Sequence, residues 1–257
     1  MSANPIQLER VSRSFGPVEV LRELSLSIER GEFVAVVGPS GCGKTTLLNL
    51  LSGFDRPSAG VVSRDGQVRM VYQQDGLFPW LTVADNIALG LRDLKDAQEQ
   101  QRQARELLHL VRLEGFEHHY PHQLSGGMRQ RVELARALAG ESDILLLDEP
   151  FSALDYLTRL RLRQELARLL AGRPRTVALV THDIEEAAQL ADRVIVLTER
   201  PAQIRHELRI AARRPRDPTH PEVVAAVHRI LIELGLEPES ERSTHDHQSA
   251  AWESLQD

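Results

Sequence analysis

The chain is poor in several things. Of its 257 residues only one is cysteine, and aromatic residues make up 4%. One thiol excludes an internal disulfide framework and any zinc site that needs two cysteines from one chain. Long apolar runs are missing too. The longest uncharged stretches are about 11 residues, as between Glu32 and Lys44, whereas a spanning helix needs roughly 20 apolar residues. The opening MSANPIQLERV has no apolar signal core, so secretion is not expected. With 31 basic against 37 acidic residues and a formal charge of −6, there is no overall attraction to nucleic acid, and no nucleic-acid partner is expected.

What is present is a succession of strand and helix patterns. Residues 6–11 and 24–28 alternate apolar and polar side chains, as half-buried strands do. Phe33-Val34-Ala35-Val36-Val37 is continuously apolar and runs into a glycine-rich turn, the mark of a strand buried on both faces. A leucine-rich helix should follow and end at Gly53, with short strands at 61–62 and 70–72. The middle of the chain reads as helices: 83–91 behind Thr82, the Gln/Glu/Arg-rich 94–112, and 126 to about 138. Strands then return at 144–147, 176–180 and 194–197, separated by helices over 156–171 and 184–191. This alternation indicates an α/β fold around a parallel sheet, with a helical block at about 75–140 inserted. A further helix is expected over 221–236. Residues 238–257 are polar and read as a frayed tail, so the domain is expected to occupy residues 1–236 and a disordered tail 237–257.

Residues 38–45, Gly-Pro-Ser-Gly-Cys-Gly-Lys-Thr, fit G-x-x-x-x-G-K-[ST] between a buried strand and a helix. Glycines let successive backbone N–H groups turn toward phosphate oxygens, and the helix adds its positive end. Lys44 supplies a point charge for the β- and γ-phosphates and Thr45 a hydroxyl for Mg²⁺. A second strand, Ile144–Leu147, ends in Asp148 and Glu149. Standing alone, those acids would read as solvated strand ends. Beside a phosphate loop they suit Mg²⁺ binding through water (Asp148) and polarisation of an attacking water (Glu149), because strand C-termini line the ligand crevice of a parallel sheet.

A second glycine motif, Leu124-Ser125-Gly126-Gly127, opens the helix at 126 and lies 81 residues beyond Lys44. A hydroxyl, bare N–H groups and a helix dipole make it another anion site. One nucleotide does not need two anion sites so far apart. Two antiparallel copies, each covering the other's nucleotide, would use both.

The set of Walker A loop, Ser-Gly-Gly signature, Asp-Glu strand end and later His182 resembles the nucleotide-binding subunits of ATP-binding cassette (ABC) transporters, in order and spacing, over roughly residues 5–235. That resemblance implies a RecA-like P-loop NTPase core with an N-terminal antiparallel β subdomain and an inserted α-helical signature subdomain. It implies ATP and Mg²⁺ as cofactors. Phe15 would stack on adenine. Gly38, Pro39, Ser40, Gly41, Cys42, Gly43, Lys44, Thr45 and Thr46 would hold the phosphates. Gln73, with Gln74 as neighbouring competitor, would sense Mg²⁺ and the attacking water. Ser125, Gly126 and Gly127 would reach the nucleotide of the second copy. Asp155 would sit at the dimer seam, Glu149 would act as base, and His182 would contact the γ-phosphate. Met128 stands where many relatives carry Gln, so a polar contact from that position is lost.

The stretch 73–83, with Phe78-Pro79-Trp80, and the segments 151–155, 181–187 and 196–201 resemble the nitrate/sulfonate/taurine importer branch. The implied partners are transmembrane permease subunits, a second cassette copy and, indirectly, an extracytoplasmic solute-binding protein. The implied place is the cytoplasmic face of the cell membrane. Phe78, Pro79 and Trp80 would help form the permease groove, or else belong to the core of the helical block. An exporter or lipoprotein-release cassette, a non-transport ABC ATPase and a simple P-loop kinase remain rival readings. The His118–His122 cluster reads as a solvated loop, the run Arg209–Arg216 as an exposed connector, and Cys42 as a thiol whose alkylation blocks ATP.

Overall fold

In a computed structural model, residues 4–72 and 76–236 are described. Gln73, Gln74 and the expected tail at 237–257 lie outside them. The strand β3 (Phe33–Val37) is buried at every position and pairs in parallel with β7 (Thr176–Val180) on one side and β8 (Arg193–Leu197) on the other. Beyond β7 come β6 (Ile144–Asp148) and β5 (Val68–Val71), also parallel. The antiparallel strand β9 (Ile204–Arg209) closes the opposite edge, so the order is β5-β6-β7-β3-β8-β9.

Because successive strand side chains point to opposite faces, an uninterrupted apolar strand can serve two cores. Phe33, Ala35 and Val37, with Leu145, Leu147, Val177 and Leu179, face one cluster. Val34, Val36, Ile144, Leu146, Ala178 and Val180 face the other. The first core is covered by α2 (Val83–Ala88), α3 (Ala97–Leu110), α4 (Gly126–Leu138), α5 (Tyr156–Gly172), α6 (Ile184–Leu190) and α7 (Pro221–Glu233). The second holds α1 (Lys44–Ser52) beneath a separate antiparallel sheet of β1 (Ile6–Phe15), β2 (Val18–Ile28) and β4 (Ala59–Arg64), in the order β2-β1-β4. The helices α2 to α4 lie between β5 and β6 in the chain. Among the described residues no helix is long and apolar enough to cross a membrane.

Several elements differ from their sequence patterns for identifiable reasons. The strands expected at 6–11 and 24–28 run on to Phe15 and back to Val18. Arg10 and Glu23 take positive φ (48° and 47°), and the β1–β2 register shifts there. Such bulges break the two-residue alternation and hide the strand's length. The helix expected from residue 94 starts at Ala97, because the Asp96 side chain accepts from Gln98 N and caps it. Edge strand β9 was not anticipated; half of its sequence, IRHELR, is charged, as exposed edges tend to be.

The basic run 209–216 is not simply an exposed connector. Arg216 is buried, and its guanidinium donates to the carbonyl oxygens of Ala191 (2.6 Å), Ala212 (2.7 Å) and Ile210 (3.1 Å). Arg214 pairs with Asp192 at 2.9 Å and lies over the Phe33 ring. Local sequence cannot reveal this; the acceptors lie at the C-terminal end of α6 (Ala191) and just after β9 (Ile210, Ala212), which only the fold brings together.

Candidate nucleotide site

The C-terminal ends of β3, β6 and β7 are neighbours, and each delivers part of the site. After β3 the chain turns through residues 38–43 into α1. Gly41 has φ of 72° and Gly43 of 121°. A Cβ on Gly43 would come within 2.7 Å of Val20 Cγ1 and 2.9 Å of Leu21 Cδ2. Glycine at 43 is therefore required twice, by its backbone angle and by the approach of β2. Lys44 is 7% exposed, and its Nζ donates to the carbonyls of Gly38 (2.8 Å) and Pro39 (3.0 Å). Cys42 is buried, and burial pushes its thiol pKa up. A neutral buried thiol reacts slowly, so this loop resists alkylation by its own packing.

A cavity of about 550 Å³ opens above the loop. Ser40, Gly41, Gly43, Lys44, Thr45 and Thr46 line its floor, Phe15 stands on one wall and Glu149 on another. Arg13 lies over the Phe15 ring at 4.3 Å. Phe15, Val18 and Val20 come from the antiparallel sheet, so that sheet supplies the apolar side of the cavity.

From β6 come the two acids. Asp148 is 1% exposed, and neither of its carboxylate oxygens has a hydrogen bond of ordinary geometry among the described residues. Burial pushes its pKa up; the Thr45 hydroxyl beside it pulls down, Glu149 pushes up and Lys44 pulls down, and the net is a rise. A buried carboxylate with two orphaned oxygens is costly unless a cation or donor completes it. Together with the Thr45 hydroxyl it forms a hard oxygen donor set, which suits Mg²⁺ held partly through water and phosphate. Glu149 adopts a positive φ of 48°, a strained conformation for a residue with a side chain. Four backbone hydrogen bonds hold it there. Its N–H donates to Val180 O (2.9 Å), and its carbonyl accepts from Gln130 Nε2 (2.9 Å), Ser152 N (3.2 Å) and Ser152 Oγ (3.0 Å). Its carboxylate meets His182 Nδ1 at 3.1 Å, from the turn after β7.

Ser125, Gly126 and Gly127 are not among the residues lining this cavity. Ser125 caps α4 by accepting from Met128 N (3.2 Å), and Ser125 and Gly126 are exposed. A Cβ on Gly127 would meet Ala153 O at 3.0 Å, so this glycine also permits α4 to pack on the segment 152–155. Asp155 caps α5 through Thr158 N (3.0 Å), and the next two residues, Tyr156 and Leu157, are 63% and 60% exposed. Phe78 and Trp80 pack against each other at 5.4 Å on the surface of the helical block, with Trp80 70% exposed. That exposure removes the alternative that Trp80 belongs to the core.

Two residues of the site were given no role from the sequence. Arg200, from the turn between β8 and β9, lines the cavity and donates to the Gly41 carbonyl. Gln130 links α4 to β6: besides its bond to Glu149 O, its Oε1 accepts from Ala153 N at 3.0 Å. Both lie in stretches singled out from sequence, Gln130 three residues beyond Gly127 and Arg200 within 196–201, but the sequence assigned neither a role, because each role is set by partners distant in the chain.

A phosphate-wrapping loop, a strand-end Asp-Glu pair and a cavity of nucleotide size, all at the C-terminal edge of a parallel sheet, define a P-loop nucleotide-binding protein. Comparison with known proteins narrows this. A family model described as ABC transporter matches residues 21–152. An aliphatic sulfonates import ATP-binding protein, SsuB 1, from Rhodococcus jostii is 46% identical over 217 residues, covering 82% of this chain and 85% of its own length. The SsuB protein of Zymomonas mobilis is 46% identical over 219 residues, with 82% and 88% covered. Among solved structures, a dimeric bacterial ABC transporter cassette superposes with a TM-score of 0.73 at 34% identity, covering 80% of this chain and 99% of that one. The same cassette in a post-hydrolysis state bound to ADP and Pi gives 0.72 at 33%, with 80% and 99% covered. The chain belongs to the ABC transporter family, and it is an ATP-binding cassette of that family.

Proposed function

We propose that this cassette hydrolyses ATP to energise uptake of an aliphatic sulfonate or a similar small anion through separate permease subunits on the cytoplasmic face of the membrane. The observation that carries the chemistry is the placing of Glu149 and the phosphate loop on one cavity, with His182 3.1 Å from the Glu149 carboxylate. The solute class rests on the sulfonate-import relatives.

In this reading the loop N–H groups and Lys44 hold the phosphates, with Thr46 and Ser40 beside them, and Phe15 stacks on the adenine. Asp148 and Thr45 would hold Mg²⁺, with Gln73 as a further ligand; the ion supplies charge neutralisation of the β- and γ-phosphates. Glu149 accepts the proton of the attacking water as its oxygen bonds to the γ-phosphorus and the bond to the bridging oxygen breaks. His182 steadies the γ-phosphate and the Glu149 carboxylate. The Ser125-Gly126-Gly127 terminus, exposed at Ser125 and Gly126, lies off its own cavity, which supports a second copy that brings this terminus to the partner's nucleotide across a seam at Asp155. Closure then requires ATP, because the nucleotide bridges the copies; hydrolysis breaks the bridge and reopens them. Phe78, Pro79 and Trp80 offer the permease an apolar surface, and a solute-binding protein acts through that permease.

The test is reconstitution in proteoliposomes with the permease, at saturating MgATP, with solute-binding protein loaded with an alkanesulfonate, taurine or nitrate. ATP hydrolysis should rise with the sulfonate-loaded protein, and labelled sulfonate should accumulate inside. Hydrolysis that responds to none of the three loaded proteins would overturn the solute class.

A further inference from the structure

Arg159, one turn into α5, reaches two segments at once. Its Nη2 donates to the Leu154 carbonyl at 3.1 Å, and its Nη1 pairs with Asp183 Oδ2 at 3.1 Å. Leu154 belongs to the segment leading into α5, and Asp183 directly follows His182. Arg163, one turn further along and 2% exposed, binds the same Asp183 oxygen and stands 3.8 Å from Glu186 Oε2. Asp183 Oδ1 accepts from Glu186 N at 3.0 Å, and the Asp183 N–H donates to Thr181 Oγ1 at 2.9 Å. Thr181 Oγ1 in turn donates to Glu186 Oε2 at 2.6 Å.

The residues on both sides of His182 are thus locked into a polar cluster that is buried at Thr181, Arg163 and Glu186 and partly buried at Asp183 and Arg159, while the histidine side chain itself is 62% exposed and meets Glu149. Stability alone is a poor reason for this cluster. Arg159 Nε, Arg163 Nε and Glu186 Oε1 are buried without hydrogen-bond partners among the described residues, and buried ionic groups in such a state cost more than apolar packing of the same volume. A planar guanidinium does one thing an apolar side chain cannot: it fixes two acceptors in a set geometry. Here the acceptors are the Leu154 carbonyl and the Asp183 carboxylate.

We propose that Arg159 is a positioning residue that couples the segment 152–157 to His182. When a second copy closes on Asp155 and the exposed Tyr156 and Leu157, the Leu154–Arg159–Asp183 strap keeps the His182 ring, already 3.1 Å from the Glu149 carboxylate in the single chain, in place for the γ-phosphate. The inference rests on the paired-cassette reading above. Without the strap the pair still forms, but His182 is no longer held in register.

The experiment uses the full chain. Arg159→Ala and Arg159→Lys are compared with the parent for nucleotide stoichiometry, for ATP-driven pairing in a Glu149→Gln background, and for kcat per bound nucleotide, each with and without His182→Ala. Nucleotide affinity and pairing should stay within about twofold of the parent, and kcat should fall about tenfold or more, because a catalytic group out of place costs rate without costing binding. Lysine keeps the charge but not the fork, so Arg159→Lys should recover only part of the rate. In the His182→Ala background, Arg159→Ala should remove less than about twofold further, because residues acting through one another are non-additive. An equal loss with and without His182, or kcat within twofold of the parent, overturns the proposal. If Arg159→Ala does not fold, Arg159→Lys carries the same comparison. A parent that hydrolyses ATP without pairing overturns the paired reading itself, and that is measured first.

Discussion

Replacing Glu149 by Gln separates chemistry from binding at this site. The four hydrogen bonds that hold residue 149 at its φ of 48° all involve its own peptide groups. Glutamine keeps those bonds, the side-chain volume and an oxygen that can meet His182. Only the basic carboxylate is lost. General bases contribute about 10²–10⁴ in rate, which is about 3–5 kcal/mol on the barrier; kcat should fall by that factor. Binding should move the other way. The Glu149 charge is one of the influences that raise the Asp148 pKa, so the neutral amide leaves Asp148 more readily ionised. MgATP affinity should therefore be unchanged or tighter, and the ATP-bound pair should accumulate. Phosphate release under saturating ATP gives the rate, fluorescent-nucleotide titration the affinity, and light scattering on a sizing column the pair. A variant that turns over within about threefold of the parent would refute Glu149 as base. A variant that fails to bind nucleotide would refute the claim that its backbone alone keeps the local geometry.

Other expectations follow from the same geometry. Gly43→Ala adds a Cβ 2.7 Å from Val20 Cγ1 at a φ of 121°; strain of about 1–3 kcal/mol should weaken nucleotide binding about tenfold or more while the circular dichroism spectrum persists. Arg216→Met leaves the carbonyls of Ala191, Ala212 and Ile210 without their shared donor; urea unfolding should report a loss of about 3–5 kcal/mol, with nucleotide binding intact at 25 °C. Burial raises the Glu186 pKa to about 7 from an ordinary 4.5, against the pull of Arg163 and Thr181. Between those values the folded state retains a proton that the unfolded chain releases, so this group's contribution to stability declines as pH rises from about 4.5 to 7. The decline should be shallower in Glu186→Gln, measured by thermal unfolding across that range.

The parts of the site that were legible from sequence are contiguous strings. The loop 38–45 follows a strand whose five residues are all apolar, and Asp148-Glu149 follows another of the same kind. In each case the chemistry sits next to the pattern that announces its position, because strand ends line the crevice of a parallel sheet. The helix starts at Ser125 and Thr82 were legible for a similar reason: the capping residue and the first turn are adjacent in the chain. The bulged strands β1 and β2 were read short, since a bulge breaks alternation without changing composition.

Composition, local pattern and motif spacing by themselves determined the α/β class and the P-loop chemistry, and the motif set carried the resemblance to a family that comparison with known proteins then established. Tertiary structure alone decided what depends on residues far apart in sequence. Val20 approaches Gly43 and makes that glycine obligatory. Arg200 reaches back 159 positions to the Gly41 carbonyl, and Gln130 crosses from a helix to the peptide of Glu149. Arg216, which reads as one charge in an exposed basic run, turns inward to the backbone carbonyls of Ala191 and Ala212. The reason is common to all four. A periodic pattern says which face of an element is buried, but the partner that a buried donor or a missing Cβ meets is chosen by how the elements pack.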